Sequence, residues 1–279
     1  MLIEASDLIK LYKNKIWHNN IIILDASWYL PNQKRNPFKE YKNNHIPHAL
    51  YFDIDKVCNI ESNLPHTVPT ESQFIKNMEE LGIGNKNHII IYSYDGIGTS
   101  PRAWWLFKLF GHQNVSILNG GLKAWLKISV PESKNILKVT SNIYKAKLNN
   151  NLLALHKDIT NSFNSINYQI VDARSTGRFK GIDEEPRPGL RKGHIPNSIN
   201  IPFNIFIDKN GYFITKKEII NILENNKFNF NITTISTCGS GITACVLAFA
   251  LSLIGKNNWQ VYDGSWSEWG LSEKNLIEL

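Results

Sequence analysis

The chain repeats itself, since four short segments of its first half recur in the same order in its second half. The recurring pairs are Ile23-Leu24-Asp25-Ala26 with Ile170-Val171-Asp172-Ala173, His45-Ile46-Pro47 with His194-Ile195-Pro196, Asp95-Gly96-Ile97-Gly98 with Cys238-Gly239-Ser240-Gly241, and Asn119-Gly120-Gly121 with Asp263-Gly264-Ser265. The matching segments lie 143 to 149 residues apart. Four matches at a nearly constant offset indicate a tandem duplication of a unit of ordinary domain size.

Within each repeat, short β-rich runs alternate with helical patterns, which is typical of an α/β fold with a mostly parallel sheet flanked by helices. The predicted strands cover residues 21–24, 88–93, 115–118, 168–171, 233–236 and 260–262. The predicted helices cover residues 72–81, 102–110, 216–225 and 243–254. We expect one domain over residues 1–135, a linker over residues 136–151 without a sustained period, and a second domain over residues 152–279.

The strongest candidate for a reactive residue is Cys238, which stands between a predicted strand and a predicted helix. The unpaired N–H groups and the positive dipole end of a helix N-terminus favour a thiolate over a thiol. Gly239 and Gly241 let the backbone turn its amides inward, so we expect an anion-binding loop that continues through Ile242 and Thr243. A buried structural cysteine is the alternative, and the two nearby glycines count against it.

The duplication predicts one active and one inert half. Asp95 occupies in the first repeat the position of Cys238, so the first repeat lacks the nucleophile, and we expect Asp95 to cap the following helix. Residues that recur in both halves favour structural tasks instead of catalysis. They are His45 with His194, and Asp25 with Asp172.

Three cysteines give no disulfide framework, and an acidic N-terminus without a long apolar run predicts a cytoplasmic protein away from membranes. Cys238 and Cys245 are seven positions apart, a spacing without a metal signature, so we expect neither a metal nor a cofactor. The net charge of +7 comes from dispersed lysines, which favours a solvated surface over nucleic-acid binding.

In these motifs the chain resembles the tandem-rhodanese sulfurtransferases over nearly its whole length. The most specific matches are Cys238-Gly239-Ser240-Gly241-Ile242-Thr243-Ala244, the segment 172–196, and Asp263-Gly264-Ser265-Trp266-Ser267-Glu268-Trp269. The resemblance implies that Cys238 takes sulfur from a small donor as a persulfide. It also implies an acceptor that is a thiol, thioredoxin or cyanide.

The resemblance further implies a donor and the residues that bind it. The interior of the loop after Cys238 carries no basic side chain, as in the members of the family that use 3-mercaptopyruvate. Arg178 and Arg187 match the family positions that hold the carboxylate and the keto oxygen of that donor. The alternative is that both arginines pair with acids of their own loop, Asp183, Glu184 or Glu185.

Ser240 matches a family serine that works with a histidine and an aspartate of the first domain, here His66 and Asp55. The resemblance therefore implies a proton relay through these three residues. The alternative for His66 is an ordinary surface histidine in a proline-rich loop.

Three competing functions are open to different degrees. A cysteine phosphatase would need an arginine where this chain has Ala244, so that function is excluded. A thiosulfate:cyanide sulfurtransferase and a non-catalytic sulfur carrier stay open as alternatives.

Overall fold

The computed structural model describes residues 1–13, 20–128 and 139–279, and these residues form two compact units. The first unit comprises residues 1–60, 69–148 and 208–213, and the second comprises residues 61–68, 149–207 and 214–279, both within the described ranges. Each unit therefore includes one short segment from the opposite half of the chain. We call residues 61–68 and 208–213 the exchanged segments.

The described part of the first unit contains a five-stranded sheet in the order β1-β5-β4-β2-β3, in which all neighbouring strands are parallel. Its strands are β1 (Leu2–Ile3), β2 (Ile21–Asp25), β3 (Leu50–Tyr51), β4 (His88–Tyr92) and β5 (Val115–Leu118). Its helices are α1 (Ala5–Lys13), α2 (Pro37–Asn43), α3 (Glu71–Glu80), α4 (Ser100–Leu109) and α5 (Gly121–Lys127).

The second unit repeats this sheet among its described residues, with five parallel strands in the order β6-β10-β9-β7-β8. Its strands are β6 (Leu153–Ala154), β7 (Tyr168–Asp172), β8 (Ile199–Asn200), β9 (Thr233–Thr237) and β10 (Trp259–Tyr262). Its helices are α6 (His156–Ser162), α7 (Thr176–Phe179), α8 (Lys216–Asn225), α9 (Ala244–Leu253) and α10 (Ser265–Trp269). The duplication in the sequence is therefore a duplication of topology.

The central strands β2 and β4 and the helix α9 are apolar on all of their faces, as elements covered on all faces must be. The runs Ile21–Leu24 and Ile89–Ile91 are β-branched or aliphatic throughout, as expected for parallel strands covered on both faces. In the second unit, nine of the ten residues of α9 are buried. This helix begins directly after the loop that carries Cys238, so the loop is anchored on a buried element.

The predicted fold class is confirmed, and each predicted strand and helix is present with its ends within two residues of the expected positions. The edge strands β1, β3, β6 and β8 were not predicted. Each is two residues long, which is too short to show an alternating pattern.

The predicted linker differs from the structure. Residues 136–138 lie outside the described residues, and residues 139–148 belong to the first unit. There the ring of Tyr144 is buried against Phe74, and its hydroxyl lies 3.1 Å from His112 Nδ1. An aromatic residue at the edge of a polar, asparagine-rich run thus attaches the run to the first core.

Candidate active site

Cys238 is the first residue after β9, which lies in the middle of the second sheet. Ligands of open parallel sheets bind beyond the carboxyl ends of the strands, and Cys238 is at such an end. The residue is only 2% exposed. Together with the following turn up to Thr243 it forms what we call the cysteine loop, residues 238–243, which ends where α9 begins at Ala244.

The first carbonyl groups of the cysteine loop are bound by α10. The carbonyl of Cys238 accepts a hydrogen bond from the Trp266 N–H at 2.9 Å. The carbonyl of Gly239 accepts from the Ser267 N–H at 2.9 Å and from the Ser267 hydroxyl at 2.7 Å. Because a trans peptide directs its N–H opposite to its C=O, the N–H groups of Gly239 and Ser240 point away from α10. An anion-binding loop requires such an orientation.

The end of the cysteine loop is fixed from inside α9. Gly241 adopts a φ of +76°, in the left-handed region that glycine enters at low cost. Its carbonyl accepts a hydrogen bond from the Cys245 thiol, with 3.1 Å between the sulfur and the oxygen. Cys245 is fully buried, so this thiol supports the shape of the loop.

Ser240, in the middle of the loop, contacts two of the predicted site residues. His66 Nδ1 lies 2.9 Å from the Ser240 hydroxyl oxygen, and Arg187 donates to the same oxygen at 3.4 Å. His66 belongs to an exchanged segment and is part of the second unit, where it is 6% exposed. The structure thus brings together Ser240, His66 and Arg187 within one unit.

Arg178 has a different environment from Arg187. Its guanidinium donates to both oxygens of Glu185, at 2.5 and 3.2 Å, and the Glu185 side chain is 3% exposed. Glu185 also pairs with the buried Arg174 at 2.8 Å. Arg178 still borders the cysteine loop, because a Cβ atom on Gly239 would lie 3.0 Å from Arg178 Nη2. The pairing with an acid of its own loop, an alternative given by the sequence, is therefore present for Arg178.

Asp55 belongs to the first unit. Its carboxylate accepts a hydrogen bond from the indole N–H of Trp28 at 2.9 Å, and its backbone N–H donates to Asp53 at 3.1 Å. The Cys58 thiol donates to the Asp55 carbonyl at 3.0 Å. These contacts define the position of Asp55 within its own unit.

Asp95, which stands in the place of the cysteine in the first unit, is bound by two basic side chains. Lys123 Nζ lies 2.8 Å from its carboxylate, and Arg35 donates to it as well. Burial raises the pKa of Asp95, but the hydrogen bonds from Lys123 and Arg35 outweigh burial and leave it below its usual value. Asp95 was expected to cap the following helix, but the N-cap of α4 is Thr99. The carboxylate is instead part of an ion cluster.

The residues shared by both repeats have structural contacts in their own units. His45 Nδ1 lies 2.7 Å from the Tyr41 carbonyl, and His194 Nδ1 lies 2.9 Å from the Phe179 carbonyl. Asp172 pairs with Arg174 at 2.6 Å, with both side chains buried. These contacts accord with the structural tasks that the duplication predicts for them.

Four side chains that were not predicted as site residues support the site. Ser265 accepts a hydrogen bond from the Cys238 N–H at 3.3 Å, and Ser267 binds the Gly239 carbonyl as described above. Arg174 organises Glu185, and Asp263 accepts a hydrogen bond from the backbone N–H of Val68 at 2.8 Å. All four stand at positions where the two repeats differ, Asp263 for Asn119, Ser265 for Gly121, Ser267 for Lys123 and Arg174 for Ser27, which is a signal that sequence comparison within the chain could have used.

Two general properties of the described residues bear on the type of site. In the described ranges no group of three or more His, Cys, Asp or Glu side chains is placed to hold a metal ion. Of the helices that the structure describes, none has the length and apolar character needed to cross a membrane.

Comparison with known proteins identifies the family. Residues 8–128 and 155–272 each match the rhodanese-like domain. The chain is 39% identical over 249 residues to the 3-mercaptopyruvate sulfurtransferase of Homo sapiens, covering 88% of this chain and 84% of that protein. It is also 39% identical over 250 residues to the thiosulfate sulfurtransferase of Rattus norvegicus, with the same coverage of 88% and 84%.

A solved structure agrees with both repeats at once. The crystal structure of SseA from Escherichia coli, described as a 3-mercaptopyruvate sulfotransferase with the rhodanese fold, is similar with a TM-score of 0.86 and 33% identity. The similarity covers 96% of this chain and 99% of SseA. Two sheets of one topology, one followed by a cysteine loop and one with an aspartate in the place of the cysteine, define a tandem α/β protein with two rhodanese-like domains. The chain belongs to the rhodanese family, and it is a sulfurtransferase.

Proposed function

We propose that this chain transfers sulfur from 3-mercaptopyruvate to a thiol or to cyanide through a persulfide on Cys238. The observation that carries the proposal is the cysteine loop, whose carbonyl groups are bound on the outside and whose interior contains no basic side chain. The backbone N–H groups of the loop then point to the inside of the loop, where they can donate hydrogen bonds to a negatively charged sulfur. Such a loop suits a donor with a thiol sulfur, and a second site must hold the carboxylate of that donor.

The transfer takes place in two chemical steps. The Cys238 thiolate attacks the sulfur of mercaptopyruvate, an S–S bond forms, and the C–S bond breaks with its electron pair on carbon. The resulting enolate takes up a proton and leaves as pyruvate, while the sulfur stays on Cys238. An acceptor thiolate or cyanide then attacks the outer sulfur, which restores the Cys238 thiolate and releases a persulfide or thiocyanate.

Arg187 is the better candidate for holding the carboxylate of the donor. It reaches the Ser240 hydroxyl in the loop, and a guanidinium can bind a carboxylate with two parallel hydrogen bonds. Arg178, which the resemblance gives together with Arg187 to the carboxylate and the keto oxygen, is bound to Glu185. We therefore assign Arg178 to the keto oxygen and to the shape of the loop beside Gly239, and Arg187 to the carboxylate.

The contact between His66 and Ser240 supports a proton relay. One proton must leave the thiol of the donor and one must reach the enolate carbon, and a hydroxyl hydrogen-bonded to an imidazole can carry out both transfers. Asp55 is kept as the third member of this relay on the resemblance alone. Its carboxylate accepts the Trp28 indole N–H within the first unit.

Donor choice is the test of this function, because relatives of the same identity are named for 3-mercaptopyruvate and for thiosulfate. Initial rates with the two donors and a common cyanide acceptor give the ratio of the two kcat/KM values. We expect 3-mercaptopyruvate to be the better donor, since thiosulfate carries a second charge and the cysteine loop has no basic side chain of its own to meet it. A preference for thiosulfate would reverse the assignment.

The persulfide is tested by intact mass after treatment with the donor alone. The wild type is expected to gain the mass of one sulfur atom, and Cys238→Ser is expected to gain none. Cys245→Ser is the matched control, because that serine can keep the hydrogen bond to the Gly241 carbonyl and is expected to gain sulfur as the wild type does. Both the proposed enzyme and a non-catalytic sulfur carrier must bind sulfur covalently. If the wild type and the two variants all gain no sulfur, both hypotheses fail.

We also propose a reducing compartment for the protein and a thiol as its sulfur acceptor. The three cysteines of the chain, all among the described residues, form no disulfide, which favours a reducing compartment such as the cytoplasm. Thioredoxin or a small thiol is the acceptor that such a compartment offers.

A further inference from the structure

The same side-chain position binds an exchanged segment in each unit. In the second unit, the Asp263 carboxylate accepts a hydrogen bond from the Val68 N–H at 2.8 Å. In the first unit, the Asn119 side-chain oxygen accepts one from the Phe213 N–H at 2.9 Å. Asp263 and Asn119 occupy equivalent positions in the two repeats. Because both units have this contact, it is a feature of the shared fold.

The residue two positions before each donor adopts a left-handed backbone conformation. In the first unit this residue is Gly211, with a φ of +86°, and in the second it is His66, with a φ of +61°. Glycine enters this region freely, whereas a histidine is strained there and needs its surroundings to hold it. The catalytic unit therefore replaces an unstrained turn by a strained one.

The strained turn places the imidazole where the proposed reaction uses it. His66 Nδ1 lies 2.9 Å from the Ser240 hydroxyl, and the hydrogen bond from Asp263 fixes the chain only two residues further on. Asp263 is itself buried, and it follows β10 directly, next to α10 that binds the start of the cysteine loop. One short stretch of chain thus holds both partners of the Ser240–His66 contact.

We propose that Asp263 is a positioning residue that keeps His66 in its left-handed turn and thereby in reach of Ser240. The proposal rests on the proposed function, in which His66 and Ser240 move a proton. What Asp263 supplies is a hydrogen-bond acceptor at a fixed point. A negative charge is not required for that task, because the neutral Asn119 binds the exchanged segment of the first unit in the same way.

The test compares substitutions of Asp263 by turnover of 3-mercaptopyruvate with cyanide in the full chain. Asp263→Ala is expected to lower kcat by roughly 10- to 100-fold, within the range of a lost general acid–base contribution, with a smaller change in KM. Asp263→Asn keeps the acceptor and is expected to stay within about threefold of the wild type. Asp263→Glu keeps the charge but displaces the acceptor by one methylene, and it is expected to lose activity as the alanine variant does.

Asn119→Ala is the matched control, because it removes the same acceptor from the unit that lacks the cysteine. We expect it to lower the melting temperature about as much as Asp263→Ala does and to leave kcat within about threefold. An equal loss of kcat in both variants would mean that the contact is only structural. If Asp263→Ala does not fold, the comparison of Asp263→Asn with Asp263→Glu decides the same question.

A second set of variants separates this inference from the proposed function. His66→Gly copies Gly211 and removes the imidazole without strain. If Asp263 acts through His66, Asp263→Ala lowers kcat by less than about threefold in the His66→Gly background. Full activity of His66→Gly would overturn the relay itself. If His66→Gly lowers kcat but Asp263→Ala has its full effect on kcat in that background, only the role of Asp263 is overturned. Equal losses of kcat in Asp263→Asn and Asp263→Ala would also overturn only that role.

Discussion

Asp25, at the end of β2, is a buried acid whose ionisation should destabilise the first unit. It is 1% exposed, and its carboxylate accepts hydrogen bonds from the Ser27 N–H at 2.9 Å and the Ser27 hydroxyl at 2.5 Å. Burial raises the pKa of Asp25 to about 6, although the hydrogen bonds from Ser27 act in the opposite direction. The equivalent acid of the second unit, Asp172, has Arg174 as its buried partner. We therefore predict that Asp25→Asn stabilises the protein at neutral pH.

The magnitude follows from the two pKa values. A carboxyl with a pKa of 3.8 in the unfolded chain and about 6 in the folded chain costs roughly 3 kcal/mol of unfolding free energy once it is ionised in both states. Because the folded state holds the proton of Asp25 more tightly, the stabilising contribution of this carboxyl is complete below pH 3.8 and is lost as the pH rises through about 6. The gain from Asp25→Asn is thus expected to be up to about 3 kcal/mol at pH 7.5 and about half of that near pH 5.

Urea unfolding of the wild type and Asp25→Asn at several pH values measures this gain directly. Asparagine has nearly the same shape and keeps an oxygen for Ser27, but its NH2 group replaces an oxygen of a carboxylate that also binds Tyr92, so the dependence of the gain on pH is what isolates the charge. Asp172→Asn is the matched control, and it should lower stability at pH 7.5 because it takes a charged partner from the buried Arg174. A gain for Asp25→Asn that does not change between pH 5 and 7.5, or a loss at pH 7.5, would refute the reasoning.

Two further predictions concern the donor. Arg187→Ala should lower kcat/KM for 3-mercaptopyruvate by an amount that corresponds to about 2–4 kcal/mol of lost transition-state stabilisation. Arg178→Ala should lower it clearly less, because Glu185 already binds Arg178. Equal losses in steady-state kinetics would contradict the different tasks of the two arginines. Gly239→Arg combined with Ser240→Lys should lower the rate with 3-mercaptopyruvate and raise that with thiosulfate, even though the new Cβ at position 239 lies 3.0 Å from Arg178; equal effects on both donors would indicate damage to the loop alone.

The fold could be predicted from the sequence because its elements follow local patterns. The isoleucine-rich strands β2 and β4 and the apolar helix α9 are long enough for their periodicity to be recognised, and the duplication doubles each signal. The two-residue edge strands could not be predicted, because only their pairing in the sheet defines them. The same holds for the exchanged segments, whose assignment depends on contacts with distant parts of the chain.

The site could be predicted in part. Cys238 and its loop are evident because glycines and a helix start surround the cysteine in sequence. The pairing of Arg178 with Glu185 was one of two alternatives that sequence alone leaves open, since seven residues of an irregular loop do not define a distance. Ser265 and Ser267 were missed because their partners, Cys238 and Gly239, lie 27 and 28 residues away along the chain.

At two equivalent positions the two units differ in backbone strain, because one unit has glycine and the other a residue with a side chain. Ser265 has a φ of +49°, and the first unit has Gly121 at that place, where an added Cβ would meet the Ser93 carbonyl oxygen at 2.2 Å. His66 stands in the same relation to Gly211. The first unit thus keeps glycine at two left-handed positions, and the unit with the cysteine loop accepts strain at both. In each case the side chain that causes the strain reaches the cysteine loop, Ser265 at Cys238 and His66 at Ser240. Strain of this kind persists only where its surroundings hold it, and from the contacts of both side chains with the cysteine loop we infer that these two positions serve that loop.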